Sequence, residues 1–256
     1  MKAKGCFLVA ALLLVTAFSG NAFAGGWGPY FSWGRDDPSA GFPDGFIDSA
    51  VEFAHGIPGL SDQEIRDALE GVDLDFQIDH ITFGVLYDSA PSRDKLFNYR
   101  LAMGFDIATK TEVSGISIPE IGISLSGFAG ELDQNGYGFS MNHTFGFSLL
   151  RTELFKWWIG PGIRLNFDYY SLDNGIKAAN LVIGGGGETG INIHISPTMS
   201  LCLGGGIHYN AFGYGAGTND VGSLVWGDGP FYFIQVAALF HTGEDKDAWA
   251  SAASAP

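Results

Sequence analysis

The sequence predicts an all-β fold, an eight-stranded antiparallel transmembrane β-barrel with an N-terminal extension that contains a short amphipathic helix. Three observations carry that expectation. The chain opens like an exported protein, its composition is rich in glycine and aromatic residues, and from about residue 80 its apolar residues alternate with polar ones at period two.

Lys2 and Lys4, an apolar run from Phe7 to Phe18 and the triplet Ala22-Phe23-Ala24 have the layout of a secretory signal peptide cut after Ala24. The run is too short to span a bilayer as a helix, so residues 1–24 are expected to be removed and the mature chain to begin at Gly25. Cys6 leaves with that segment, and Cys202 alone cannot form an intrachain disulfide. The formal net charge of −15 becomes −17 when the two lysines are lost, which gives nucleic acid no electrostatic footprint. Thirty-eight glycines, 21 phenylalanines, 9 tyrosines and 6 tryptophans favour strands over helices.

Residues 25–79 read as the extension. They hold an aromatic, glycine-rich stretch, Gly25 to Gly34, and turns at Pro38, Pro43 and Pro58. A helix starts at Ser61, where Glu64 completes a capping box and Ile65, Ala68, Leu69 and Val72 form one apolar stripe. This segment is expected to plug the lumen, cover the periplasmic mouth or lie on the membrane surface.

Seven segments then place apolar residues at odd positions: 80–88, 97–108, 116–129, 137–149, 157–171, 179–195 and 199–212. The series Phe97, Tyr99, Leu101, Met103, Phe105, Ile107 is the clearest. The eighth segment, 230–241, is most continuously apolar on its even face: Tyr232, Ile234, Val236, Ala238 and Phe240. A tilted strand of about ten residues crosses an outer membrane, so the barrel is predicted over 80–241, with a short periplasmic tail over 242–256. The polar stretches 89–96, 130–136, 172–178 and 213–229 are assigned to the cell surface, and the turns 109–115, 150–156 and 196–198 to the periplasm. Tyr87, Tyr137, Trp157, Tyr169, Tyr209 and Tyr232 gather near strand ends, as interfacial girdles do.

Within 179–195, Gly185, Gly187 and Gly190 satisfy the spacing G-x-G-x-x-G of a dinucleotide-binding loop. That loop must open a helix and be followed by an acidic residue about 20 positions on. Here β-branched alternation continues to Ser196-Pro197 and position 210 is Asn, so the run is a strand.

These segments resemble the small eight-stranded outer-membrane barrels of Gram-negative bacteria. The resemblance covers 80–241 and includes the closing series Tyr232 to Phe240, similar to the aromatic-ended last strand that the barrel insertion machinery recognises; His241 to Pro256 continue past it. It implies an integral outer-membrane location with lipid and lipopolysaccharide as surroundings. A soluble barrel would put the apolar series inside and a glycine-rich face in water, where glycine packs nothing and loses most entropy.

With apolar residues facing lipid, the even face lines the lumen. It includes His80, Thr82, Asp88, Arg100, Asp106, Arg164, Asn166, Asp168, Tyr170, Glu188, Asn192, His194, His208 and Asn210, with Gln235 from the last strand. Two arginines among several carboxylates suggest a salt-bridged plug. Gly184, Gly186, Gly204 and Gly206 also point inward, which leaves one wall without side chains, and the question is what fills that space.

Three functions follow from that question. A packed or self-plugged lumen makes the protein a structural or interaction barrel; an open one makes it a binding barrel or conduit for a lipid or small apolar molecule. Some barrels of this resemblance are lipid A acyl hydrolases or transferases, and the weak catalytic candidates here are His208, Asp88 and Ser89, with Asn210 standing where the deacylase pattern has serine. No cofactor or metal is predicted: His80 and His194 are placed near the periplasmic end and His208 near the outside, too far apart to share an ion.

Overall fold

The computed structural model describes residues 25–41, 47–48, 51–52, 55, 61–91, 95–118, 123–131, 134–172, 177–218 and 221–242. The signal peptide expected over 1–24 and the tail expected over 242–256 fall outside the described residues, apart from Thr242. In chain order the elements are β1 (Gly25–Asp36), β2 (Ser39–Gly41), α1 (Asp62–Glu70), β3 (Asp73–Asp88), β4 (Phe97–Ile118), β5 (Ile123–Glu131), β6 (Gln134–Arg151), β7 (Phe155–Leu172), β8 (Lys177–Ser196), β9 (Met199–Thr218) and β10 (Val221–Thr242).

Eight of these strands close into one antiparallel barrel in the order β1, β3, β4, β6, β7, β8, β9, β10 and back to β1. Closure leaves no open edge among these eight strands, which is what allows a sheet to stand in hydrocarbon. The eight-stranded antiparallel class is therefore as the sequence predicts, but two staves differ. β1 belongs to the barrel: Phe31 pairs with Val236 of β10 on one side and Phe83 of β3 on the other. Segment 116–129 does not form a stave; its start extends β4, and β5 folds back on that extension alone, Ile118 opposite Ile123 and Glu112 opposite Glu131.

The barrel thus starts at Gly25 and not at residue 80. The alternation in β1 is short and interrupted: Trp27, Phe31 and Trp33 share one face, whereas Gly28 and Pro29 break the run. The ladder with β10 passes from Trp27–Phe240 directly to Tyr30–Ala237, since proline has no N–H to give. At Gly28 any Cβ would stand 1.5 Å from the Ala238 carbonyl oxygen; only glycine admits β10 that closely.

The extra stave reverses β3 and β4 relative to the sequence prediction. Gly25 and Thr242 are paired at one end, and the turns after β6 and β8 lie there too, with His194 N–H donating to Leu154 and His241 N–H to Thr198. The described ends of stretch 89–96, assigned above to the surface, lie at this termini end, where Leu96 accepts from Ser148 N–H. Stretch 109–115, assigned to the periplasm, is strand at the far end. From residue 137 onward the directions agree, because the added stave and the lost one cancel.

Helix α1 begins as the sequence predicts. Ser61 caps it, accepting from Glu64 N–H, while the Glu64 carboxylate accepts from Ser61 N–H at 2.8 Å. The Ser61 hydrogen bonds hold the Glu64 carboxyl below its usual range.

The two faces of the barrel have opposite polarity. Outside stand Phe83, Phe105, Phe145, Ile183 and Ile207, with Ile234 at 64% exposure. Burying such side chains is worth about 1.5–3 kcal/mol each, and the only medium that does so on a convex wall is lipid. Trp157 and Tyr169 stand at the two ends of the outward face of β7. A strand tilted by roughly 40° rises about 30 Å over that span, the thickness of a hydrocarbon core. At the termini end Trp27 packs against Tyr87 at 4.5 Å and Tyr99 donates or accepts with His143 Nδ1 at 2.7 Å, so His143 sits in the aromatic belt.

Candidate functional site in the barrel interior

The interior is filled by side chains of the even positions of β1, β3, β4 and β6 to β9 and of the odd positions of β10, and its polar groups join in three clusters. At the termini end, Asp88 accepts from Arg100 Nη1 at 2.7 Å, Asn192 Nδ2 at 3.0 Å and Asn98 Nδ2 at 3.2 Å. Arg100 also donates to Cys202 Sγ at 2.7 Å and lies 4.2 Å above the Trp158 ring. Lys156 donates to the Ala90 carbonyl at 2.5 Å. All of these are buried, and a buried ion pair persists only when its remaining valences are met in this way. Beyond them Ser200 sits between His194 Nδ1 at 3.0 Å and His241 Nε2 at 2.8 Å.

Midway, Glu188 accepts from Asn142 at 2.8 Å and Thr144 at 2.6 Å and meets His208 Nε2 at 3.0 Å. Towards the far end, Asp36 accepts from Arg164 at 3.0 Å and Asn210 at 2.6 Å. His80 lies between Asp36, 3.2 Å from Nε2, and Asp106, 2.9 Å from Nδ1. Thr82 donates to Asp106, Asn166 to both Asp106 and Asp168, and Tyr170 to Asp168.

The glycine wall has its explanation here. A Cβ on Gly184 would stand 1.8 Å from Asn210 Oδ1, and one on Gly186 would meet the Ile207 carbonyl at 2.0 Å and the His208 ring at 2.8 Å. On Gly206 it would meet Glu188 and Phe233, and on Gly204 the Gln235 amide at 3.1 Å. Neighbouring side chains and backbone occupy the space at these glycines; of the segment 25–79, for which the sequence predicts a plug, a periplasmic cover or a place on the membrane surface, residues 25–36 are a stave of the wall. Beside Ser140, Gln235, Thr82 and Arg164 lies a cavity of about 30 Å³, room for a water or two.

The structure separates the weak catalytic candidates. Asp88 is tied to Arg100 at the termini end, Ser89 Oγ accepts from Tyr99 N–H, and His208 meets Glu188 in another cluster. His80, expected near the periplasmic end, is opposite Gly34 and Ala108 in the far half because β3 is reversed. Asp36, Lys156, Trp158 and Cys202 complete the interior network and were not singled out by the sequence. Asp36 sits on the inward face that β1 shares with Tyr30 and Ser32; Trp158 has inward parity on β7 but an apolar side chain.

A closed barrel with hydrocarbon-facing aliphatics outside, aromatic belts and a charged interior is an integral outer-membrane β-barrel. No protein-family model matches the chain, and no curated protein matches it. Among solved structures the chain is similar to the outer membrane protein OprG from Pseudomonas aeruginosa, at 13% identity over 86% of this chain and 96% of that one, with a TM-score of 0.46. It is also similar to a major outer membrane protein from Thermus thermophilus, at 13% identity over 82% and 99% and a TM-score of 0.40. For Neisserial surface protein A the values are 13%, 84% and 97%, and 0.34. The membrane assignment rests on this barrel's own two faces.

Proposed function

We propose that the protein is a structural and interaction barrel whose lumen is a packed plug and whose working surface is the end opposite the chain termini. The observation that carries this is the cross-linked interior, in which arginines, carboxylates and histidines from β1, β3, β4, β7, β8 and β9 tie the strands to one another across the lumen, and the cavity beside Arg164 and Gln235 measures about 30 Å³. A lipid or drug-sized molecule needs roughly ten times that volume. The turns at the termini end after β6 and β8 are short, as periplasmic turns are, and the hairpin of β4 and β5 reaches past the barrel at the other. On this reading the partners are outer-membrane lipid, lipopolysaccharide at the far end, and the insertion machinery during assembly.

The test is electrical. The mature protein, folded in detergent and inserted into planar bilayers, is expected to stay silent. Uniform, long-lived conductance steps from the wild type would overturn the proposal in favour of a conduit.

A further inference from the structure

The lipid-facing wall of the barrel carries one imidazole that the packed lumen does not explain. Among the described residues, the outward positions within 27–33, 81–87, 97–107, 137–149, 157–169, 181–195, 201–211 and 232–240 hold no carboxylate, amine or guanidinium, and a single imidazole, that of His143. Such groups are costly in hydrocarbon and rare on a lipid-facing wall. His143 is half-buried and shares a hydrogen bond of 2.7 Å with the Tyr99 hydroxyl. In its neutral form this pair has two polar protons, and only one of them lies between the two side chains. Lipid tails offer the other no acceptor, an expensive state for a polar group in a membrane.

An acceptor stands two strands away. β8 presents Gly185, Gly187 and Thr189 outward, and a Cβ on Gly187 would meet nothing within 4 Å. Pro161 of β7 lies opposite Gly187, and Gly205 of β9 opposite Thr189, so the wall is hollow there. Thr189 Oγ1 donates to the Trp158 carbonyl and accepts from Trp157 Nε1 at 2.9 Å, which leaves one lone pair. The register sets the height of the hollow. The row of paired residues Trp27, Tyr87, Leu101, His143, Ile163, Gly185, Tyr209 and Pro230 returns to β1 beside Asp37, ten residues on from its start. A level line around the barrel therefore slips a little over one residue per strand towards the termini end, roughly two from β6 to β8. It passes from His143 to Gly187.

We propose that this wall is the interface of a homodimer whose two-fold axis runs along the membrane normal beside β7. Such an axis sets β6 of each copy against β8 of the other. The His143 ring enters the hollow at Gly187 of the second copy. With the Tyr99 hydroxyl donating to Nδ1, the Nε2–H of His143 donates to Thr189 Oγ1 there, and both protons of the pair are satisfied. Glycine lets the two walls approach closely, as small residues do between membrane helices. Symmetry selects a second copy over any other occupant, because the donor and the hollow that receives it lie at one level on the two strands that flank β7. The interface belongs to the outer wall alone, so a conducting lumen would leave it intact.

The experiment reads association in lipid. Separate batches of residues 25–256 are labelled with a donor or an acceptor dye and folded together into vesicles of phosphatidylethanolamine and phosphatidylglycerol. Folding is verified by the shift between unboiled and boiled bands in a denaturing gel. Energy transfer in the wild type is expected to fall on dilution with lipid along a monomer–dimer curve. His143→Phe is expected to weaken association roughly threefold to tenfold, the worth of one hydrogen bond in a membrane. Gly187→Leu, which fills the hollow, is expected to abolish it, and Phe31→Leu, across the barrel on β1, to leave it unchanged. Absence of dilution-dependent transfer in the folded wild type overturns the proposal, as does undiminished association of folded Gly187→Leu or folded His143→Phe.

Discussion

Gly186 and Gly187 are neighbours on β8 with opposite fates on substitution. A Cβ on Gly186 points into the barrel and meets the Ile207 carbonyl at 2.0 Å, whereas one on Gly187 has nothing within 4 Å. Gly186→Ala is therefore expected to destabilise the folded barrel by about 1–3 kcal/mol, the usual cost of overpacking. Gly187→Ala is expected to be neutral or to stabilise by up to about 1 kcal/mol through the unfolded chain. Urea unfolding of both variants in lipid vesicles checks the pair. The difference was half legible in the sequence: parity separates the two residues, because side chains alternate across a strand. That the inward space belongs to Ile207 and His208 was not legible, since cross-strand register depends on which residues β9 aligns with Gly186. The same limit hid the Arg100–Trp158 stack and the Asp36–Arg164 pair, which join residues 58 and 128 positions apart.

At the scale of elements, β6 to β9 could be read from the chain because each carries a long alternation, and β10 because its even face is continuously apolar from Tyr232 to Phe240. β1 could not, since Gly28 and Pro29 interrupt its pattern and its partners are the last strand and a strand that begins at Asp73. The false stave at 116–129 has the opposite origin. Its alternation is real, but β5 pairs only with the outer part of β4, while Ala108 of β4 already pairs with Gly136 of β6. Replacing residues 110–134 by a short turn is accordingly expected to leave a folded barrel, detected by the gel shift on boiling. Deleting 25–36 is expected to abolish that shift, because it parts β3 from β10 and exposes two edges in lipid. A folded product from the second deletion and none from the first would reverse the assignment of staves.

For the molecule as a whole, alternation told which face meets lipid, and glycine on the inner face told that something packs closely there. Neither told whether the filling was a ligand, a plug or the wall's own side chains. That answer comes from closure: once β1 joins β3 to β10, Asp36, Tyr30 and Ser32 enter the lumen and complete the network around Arg164. The most direct measurement is therefore solution NMR of residues 25–256 folded in micelles, reading backbone contacts across the seam. The account predicts cross-strand contacts of Phe31 with both Val236 and Phe83. Direct contacts between β3 and β10, with residues 25–36 lodged elsewhere, would contradict it.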